Sequence, residues 1–207
     1  MPIAMPISDR RVRLGLAAAA IAAAAGVAGC GGGNPLSNPD DVLNPPGQTG
    51  QKLSFRYYQQ YINPIFLTRL QVNQGGVTTV ATCASGGCHE TINGTGGALR
   101  IVQSAQPVAD LSDPVAVRAS DMYKNFYSSE GATVVGASAQ SRLLNKPLVR
   151  GILHGGGVIF DSPDHPCAKL IDYWISNPMP ATQDEFSTVG DSLVPPTAEQ
   201  LQTCHPQ

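Results

Sequence analysis

Apolar side chains recur at helical spacing in two stretches of the chain, and each recurrence predicts an amphipathic helix. In the first stretch, which runs toward Leu70, the recurring residues are Phe55, Tyr58, Ile62 and Phe66. Pro64 interrupts this pattern. Because proline lacks an amide hydrogen, it should end or kink the helix near Asn63, or else open a second short helix at its first position.

The second stretch lies closer to the carboxyl terminus and has its own start and stop signals. Its apolar face consists of Cys167, Leu170, Ile171, Trp174 and Ile175. Ser162 suits the N-cap, Pro163 suits the first helical position, and Asp164 falls in the first turn, where the helix dipole favours an anion. Pro178 should stop the helix.

The remaining pattern predicts shorter elements. The segment 119–127 has helical character, and Thr197 with Gln200 has the spacing of a capping box, which predicts a short helix ending near Cys204. The segment Gln71–Thr82 contains two adjacent glycines, and we interpret it as a loop. We therefore predict an all-α domain with long loops between its helices.

The first 29 residues have the pattern of a bacterial export signal. Arginines at positions 10, 11 and 13 precede an uncharged run at 14–27, which is too short and too rich in alanine for a comfortable membrane span. The run ends in Val27-Ala28-Gly29-Cys30, which resembles a lipobox, the motif whose cysteine is acylated and becomes the mature amino terminus. An ordinary signal peptide with a nearby cleavage site is the alternative. We prefer the general export route to the twin-arginine route.

Residues 30–52 should form a flexible tether, because they are rich in Gly, Pro, Asn and Ser and have too little apolar content to fold. Acyl chains on Cys30 would hold the protein at a membrane surface, and the domain at 53–207 would move in the aqueous space. No aspartate follows Cys30, so by resemblance to bacterial lipoproteins we expect sorting to the outer membrane. The expected location is the cell envelope, facing the periplasm or the cell surface.

The charge balance argues against a basic binding surface. Without residues 1–29, the chain has 10 Lys and Arg and 14 Asp and Glu residues, which gives a formal net charge of −4. Nucleic acid and anionic lipid are therefore not expected as partners. The sequence also has no evident nucleophile–base pair, phosphate-binding loop or carboxylate pair, so we do not predict an enzyme that acts through its side chains.

The strongest chemical signal is the stretch Thr82–Glu90, in which Cys83 and Cys88 are followed directly by His89. A c-type haem needs two thiols for its thioether bonds and an adjacent imidazole for its iron. Four residues separate the cysteines instead of the usual two, and the glycines among them allow the longer loop to turn tightly. We therefore predict one covalently bound haem c, with His89 as the proximal iron ligand.

Three other interpretations compete with haem at this motif. A zinc site would need a second Cys/His pair of suitable spacing, and the chain offers none. A local disulfide between Cys83 and Cys88 would leave His89 unexplained. A redox-active thiol pair would more typically have the spacing Cys-x-x-Cys at the start of a helix.

Three blocks of sequence together resemble the single-haem cytochrome c domains of bacterial exported lipoproteins. They are Ile62-Asn63-Pro64-Ile65-Phe66, the Cys83/Cys88-His89 motif and Gly96-Gly97-Ala98-Leu99-Arg100-Ile101. The resemblance covers about residues 55 to 180. It implies a small helical domain around one covalent haem, which is attached to the unfolded chain after export. It also implies that Trp174 packs against the helix that contains Phe55, Tyr58 and Ile62.

The resemblance extends to a further block, in which Ser141–Leu148 precedes His154-Gly155-Gly156-Gly157. In a compact cytochrome the sixth iron ligand arrives on a loop just before the last helix, and His154 stands at that place. We prefer His154 as the distal ligand. Met179 is the main alternative, because methionine is the other usual haem partner, whereas we expect Met122 to be a packing residue.

The five cysteines can now be divided among these roles. Cys30 is assigned to lipid, and Cys83 and Cys88 are assigned to haem. Cys167 and Cys204 remain, and in an oxidising exported compartment they are candidates for a disulfide. Such a bond would pin the carboxyl-terminal tail to the last long helix and stabilise the fold by about 3–4 kcal/mol.

The sequence therefore predicts one-electron transfer by a membrane-anchored protein with one covalent haem. Its expected partners are redox proteins, including a membrane electron-transfer complex. Two other functions remain open at this point. One is a haem peroxidase or gas-binding protein with an open sixth position. The other is a structural or assembly subunit of a membrane redox complex, with or without haem.

Overall fold

The computed structural model describes residues 50–205. The predicted export signal, Cys30 and nearly all of the predicted tether lie outside the described residues. In chain order the elements are α1 (Phe55–Tyr57), a π-helical turn (Tyr58–Ile62), α2 (Asn63–Leu67), β1 (Leu70–Gln74), β2 (Val77–Ala81), α3 (Pro114–Ala119), α4 (Asp121–Glu130), a 3₁₀ turn (Ser138–Gln140), α5 (Arg142–Asn145), α6 (Pro166–Ser176), a second 3₁₀ turn (Thr188–Ser192) and α7 (Ala198–Cys204). In this part of the chain no helix is both long enough and apolar enough to cross a membrane.

The predicted all-α class is wrong, because β1 and β2 form a two-stranded antiparallel hairpin and only 38% of the described residues are helical. The two strands pair from Leu70 with Ala81 to Gln74 with Val77. The connection is the pair Gly75-Gly76, and both glycines have positive φ, at 57° and 83°. A two-residue turn of this kind matches the twist of paired strands and strongly favours glycine. The fold is therefore mixed, and the segment interpreted as a loop is a hairpin.

The first helical segment continues from Phe55 to Leu67 in spite of Pro64. The π-helical turn before the proline has a wider hydrogen-bonded ring, in which the Asn63 amide donates to the Tyr58 carbonyl. Pro64 then lies in the first turn of α2, where a missing amide hydrogen removes no helical hydrogen bond. Of the two predicted outcomes, the proline thus opens a second short helix.

The core forms where this first segment meets α4 and α6. Tyr58 lies 5.3 Å from Trp174 and 5.4 Å from Phe126, measured between ring centroids, and all three side chains are fully buried. The Trp174 indole N–H donates to the Ser54 carbonyl at 3.0 Å, so its polar atom is satisfied inside the core. The predicted packing of Trp174 against the first helix is confirmed.

Helix α6 begins later than predicted. Its N-cap is His165, whose ring accepts the Cys167 amide at 3.2 Å, and Pro166 occupies the first turn. The predicted N-cap, Ser162, instead accepts the His165 amide through its carbonyl at 3.1 Å, so Ser162 and Pro163 belong to a turn that precedes the helix. Both prolines suit a first helical turn, which is why the sequence pattern alone did not separate the two starts.

The carboxyl-terminal helix α7 is tied to the rest of the domain at both ends. The predicted capping box is confirmed, because the Thr197 side chain accepts the Gln200 amide and the Gln200 side chain accepts the Thr197 amide. At the other end, Cys204 is joined to Cys167 of α6 by a disulfide, with a Cα–Cα distance of 5.4 Å and a sequence separation of 37. The Cys204 carbonyl also accepts the Thr68 hydroxyl at 2.8 Å.

Candidate functional site

The loop that carries Cys83, Cys88 and His89 leaves the hairpin and folds back on itself. The Cys88 amide donates to the Ser85 carbonyl at 2.9 Å, and the His89 amide donates to the Cys83 carbonyl at 2.9 Å. These bonds close a compact turn around the four intervening residues and place the first cysteine next to the histidine backbone. The exit of the loop is held by the Ile101 amide, which donates to the His89 carbonyl at 2.8 Å.

Cys83 and Cys88 are both free thiols and both half-buried. Burial raises the pKa of Cys83 to about 12, and the neighbouring Cys88 adds to this shift. The folded chain therefore holds Cys83 as a neutral thiol that packs against the apolar core. No disulfide joins the pair, so the local-disulfide interpretation has no support in this structure.

His89 is buried and is fixed by one hydrogen bond through its ring. Its Nδ1 lies 3.1 Å from the Leu99 carbonyl oxygen. A carbonyl oxygen only accepts, so Nδ1 carries the proton and Nε2 of the neutral ring keeps its lone pair. Burial lowers the pKa of His89, and the positive charges of Arg100 and Lys146 act in the same direction, whereas the Leu99 bond opposes them. His89 is thus held as a neutral, oriented imidazole.

His154 has the same arrangement on a separate loop. Its Nδ1 lies 2.9 Å from the Gly157 carbonyl oxygen, so Nδ1 again donates. The Gly157 amide donates in turn to the His154 carbonyl at 2.9 Å, which closes the tight turn His154–Gly157. Gly157 has a φ of +78°, which favours glycine, and a Cβ at Gly156 would lie 3.2 Å from Cε1 of the His154 ring.

The fold brings these two imidazoles together. Their ring centroids lie 6.2 Å apart, and their planes are nearly parallel, at 8°. When two imidazoles bind opposite faces of one metal ion, their centroids lie about 6 Å apart, because each metal–nitrogen bond is about 2 Å and each ring nitrogen lies about 1 Å from its centroid. The spacing therefore fits a metal ion with His89 and His154 as its two protein ligands. A tetrapyrrole such as haem would supply the remaining four nitrogens.

The other candidate ligands lie in the packed interior. Met179 is buried and its amide donates to the Lys52 carbonyl at 2.7 Å. Its sulfur lies 3.7 Å from the position that a Cβ on Gly190 would occupy. Met122 is buried in α4 within the hydrophobic core. Of the residues predicted as distal ligands, His154 is the one in ring contact with His89.

A conventional metal centre built from protein side chains is not seen among residues 50–205. No group of three or more His, Cys, Asp or Glu side chains there could hold a metal ion. Cys167 and Cys204 are engaged with each other in their disulfide. The candidate site consists of two thiols and two imidazoles in the described part of the chain.

Sequence reasoning missed the groups that orient the two imidazoles. The Leu99 and Gly157 carbonyls hold the rings, and Gly96 leaves room for His89, because a Cβ at Gly96 would come within 2.5 Å of the His89 ring. Backbone carbonyls have no signature in a sequence. The hairpin was also missed, although Gly75-Gly76 between β-branched residues was a usable signal for it.

The comparisons of this chain with protein-family models, with curated proteins and with solved structures found no match.

Proposed function

We propose that this protein is a membrane-anchored electron carrier with one covalently bound haem c. Cys83 and Cys88 would hold the haem through thioether bonds, and His89 and His154 would be the two protein ligands of its iron. One observation carries this proposal: the paired imidazoles of His89 and His154, whose centroids lie 6.2 Å apart.

The hydrogen bonds of the two rings support the same assignment. Metal-binding histidines commonly donate their second ring nitrogen to a carbonyl or carboxylate, which fixes the tautomer and the ring orientation. Both rings have this arrangement, with Nδ1 bound to the carbonyl of Leu99 in one case and of Gly157 in the other. The two histidines have the same hydrogen-bond arrangement, although they lie on loops 65 residues apart in sequence. This similarity argues for a shared ligand.

When bound, the haem supplies a ferric–ferrous couple that exchanges one electron. The protein supplies two imidazoles, and this pair leaves the reduction potential lower than a His/Met pair would, because a thioether favours ferrous iron. The motif loop keeps Gly86 and Gly87 exposed beside Cys88, so an edge of the site is accessible to a redox partner. We propose that redox proteins, including a membrane complex, dock there.

The location follows from the predicted lipidation of Cys30. An acylated Cys30 would hold the domain at the outer membrane, and the tether would let it reach partners in the periplasm or at the cell surface. Radiolabelled fatty acid should enter the wild-type protein and not a Cys30→Ala variant, with both expressed in a bacterial host that has lipoprotein transferase. Equal labelling of the two proteins would contradict lipidation at Cys30.

The decisive test of the cofactor is a haem stain of the full chain on a denaturing gel, after expression in a bacterium with a c-type haem attachment system. Only covalently attached haem survives denaturation, so the wild type should stain and a Cys83→Ala/Cys88→Ala variant should not. Wild-type protein that contains no haem would overturn the proposal and leave a haem-free structural or assembly role.

A second test addresses the sixth ligand. With both imidazoles bound, the iron should be low-spin, and the reduced protein should bind carbon monoxide slowly. A His154→Ala variant should become high-spin and bind carbon monoxide rapidly. Rapid binding by the wild type would instead indicate the open site of a peroxidase or gas-binding protein, and an unchanged low-spin spectrum in His154→Ala would exclude His154 as the ligand.

A further inference from the structure

The hairpin β1–β2 contacts the loop of His154 directly. Asn73 in β1 pairs with Val158, and two backbone hydrogen bonds of 2.9 Å join them in both directions. One residue further along, the Gln74 side-chain amide donates to the Gly155 carbonyl at 2.7 Å. The hairpin is thus bonded to the turn His154–Gly157 itself, at Gly155, and to the residue directly after it, Val158.

This contact requires a glycine at position 157. Gly157 has a φ of +78°, and a Cβ at this position would overlap the carbonyl oxygen of Asn73. Gly157 also provides the carbonyl that binds Nδ1 of His154. A single residue therefore fixes the ring of His154 and lets the hairpin backbone approach that turn closely.

The hairpin contributes little to the hydrophobic core. Of its ten strand residues, Leu70 alone is buried, and the side chains of Val77 and Val80 are 62% and 51% exposed. Hydrophobic burial therefore contributes little to the stability of this hairpin. Its hydrogen bonds to other segments of the described chain are those of Asn73 with Val158 and of Gln74 with Gly155, both in the His154 loop.

We propose that the hairpin positions the distal ligand: Asn73, Gln74 and Gly157 form a brace that holds His154 against His89. This inference rests on the proposed function, because it assumes that both histidines bind one haem iron. These three are positioning residues and touch neither the haem nor the iron in this proposal. Loosening the brace should allow His154 to leave the iron while His89 and the two thioether bonds stay in place.

The first experiment compares Gly157→Ala with Gly151→Ala in the haem-loaded full chain. Both glycines have positive φ, at 78° and 69°, so alanine strains the backbone at either position, but only at 157 would the Cβ meet the hairpin. We expect Gly157→Ala to gain high-spin iron and to bind carbon monoxide about tenfold faster than the wild type, as loss of two hydrogen bonds implies. Gly151→Ala should resemble the wild type.

The second experiment leaves the backbone unchanged and removes one hydrogen bond. Gln74→Ala deletes the donor to Gly155, and Gln71→Ala is the matched control on the same exposed strand. We expect carbon monoxide binding to be about three- to fivefold faster in Gln74→Ala and unchanged in Gln71→Ala. This pair decides the question even if Gly157→Ala does not fold.

A third measurement is independent of haem chemistry. Hydrogen exchange of the Asn73 and Val158 amides should be slow in the wild type and should accelerate in Gly157→Ala, with no such change in Gly151→Ala.

The outcomes separate the two proposals. Suppose that the wild type is low-spin and that Gly157→Ala and Gln74→Ala match it in spin state and in carbon monoxide binding. This result would overturn the brace and leave the proposed function intact. Wild-type protein without haem, or with high-spin iron that binds carbon monoxide at once, would overturn the proposed two-histidine site itself. Faster binding in both brace variants, with unchanged controls, would support the brace.

Discussion

Replacing Gly96 by alanine should disturb the ring of His89 and the adjoining backbone at Cys88. A Cβ at Gly96 would lie 2.5 Å from both Cε1 and Nδ1 of the His89 ring and 2.8 Å from the Cys88 carbonyl oxygen. Non-bonded carbon atoms pack best at about 3.5–4.0 Å, so the ring would have to move by roughly 1 Å. His89 is buried, and it has little room for that movement.

The size of the effect follows from two contributions. Forcing an extra methyl group into packed surroundings costs about 1–3 kcal/mol. Moving the ring also lengthens the 3.1 Å bond from His89 Nδ1 to the Leu99 carbonyl, and loss of such a bond costs about 1 kcal/mol. We expect Gly96→Ala to lower the free energy of unfolding by about 2–4 kcal/mol in total.

The matched control is Gly86→Ala in the same loop. A Cβ at Gly86 would meet no atom within 4 Å, so this substitution should leave the stability unchanged or raise it by up to about 1 kcal/mol. Urea unfolding followed by circular dichroism measures both variants against the wild type. In haem-loaded protein, Gly96→Ala should also lose low-spin character, whereas Gly86→Ala should keep it. If both variants had the same stability and the same low-spin spectrum, the close approach of Gly96 to the His89 ring would be refuted.

Three further predictions concern the surrounding scaffold. Changing Cys167 and Cys204 together to serine removes the cross-link over 37 residues and should cost about 4 kcal/mol of stability in urea unfolding, and an unchanged midpoint would contradict this. Burial alone would raise the pKa of Glu185, but hydrogen bonds from its own amide, from Arg118 and from a tyrosine hydroxyl outweigh it and hold that pKa below its usual value. The carboxylate therefore stabilises the fold above its unfolded-state pKa, and this contribution disappears as the pH falls through the lower folded-state pKa. Arg118→Ala should cost about 1–2 kcal/mol at pH 7, and the difference from the wild type should shrink in acid, whereas a constant difference would show that the ion pair is not responsible. Met179→Leu should leave the spin state and the reduction potential of the haem-loaded protein unchanged, and a marked shift in either would implicate its thioether.

The parts of the site that sequence could anticipate are those that lie within one short segment. Cys83, Cys88 and His89 are neighbours in sequence, so their spacing alone predicts that two thiols and an imidazole share one turn. Cap residues are similarly local, and the box at Thr197 was predicted correctly for that reason. The pairing of His89 with His154 depends on a long-range contact, and the sequence pointed to it only through a family resemblance.

The predictions were wrong where a local sequence pattern fits two structures, or where tertiary contacts determine which structure forms. The hairpin lacks the alternation of buried and exposed residues that reveals most strands, because seven of its ten strand residues are exposed and one is buried. Its short-range signal was the glycine pair at the turn, which is equally at home in a loop. The start of α6 was misplaced because Pro163 and Pro166 both satisfy the rules for a first turn.

The contacts of the hairpin bear on the function of the site. A simple connection between α2 and the cysteine loop would not require two strands. Exposed strands also gain little stability from hydrophobic burial. The contacts of the hairpin explain its presence, because Gln74 binds Gly155 within the turn that begins at His154 and Asn73 pairs with Val158 directly after that turn. The cysteine loop leaves directly from the end of β2. One hairpin thus joins the segment that carries His89 to the segment that carries His154. This shared support explains how two remote loops can hold two rings in a fixed, nearly parallel pair.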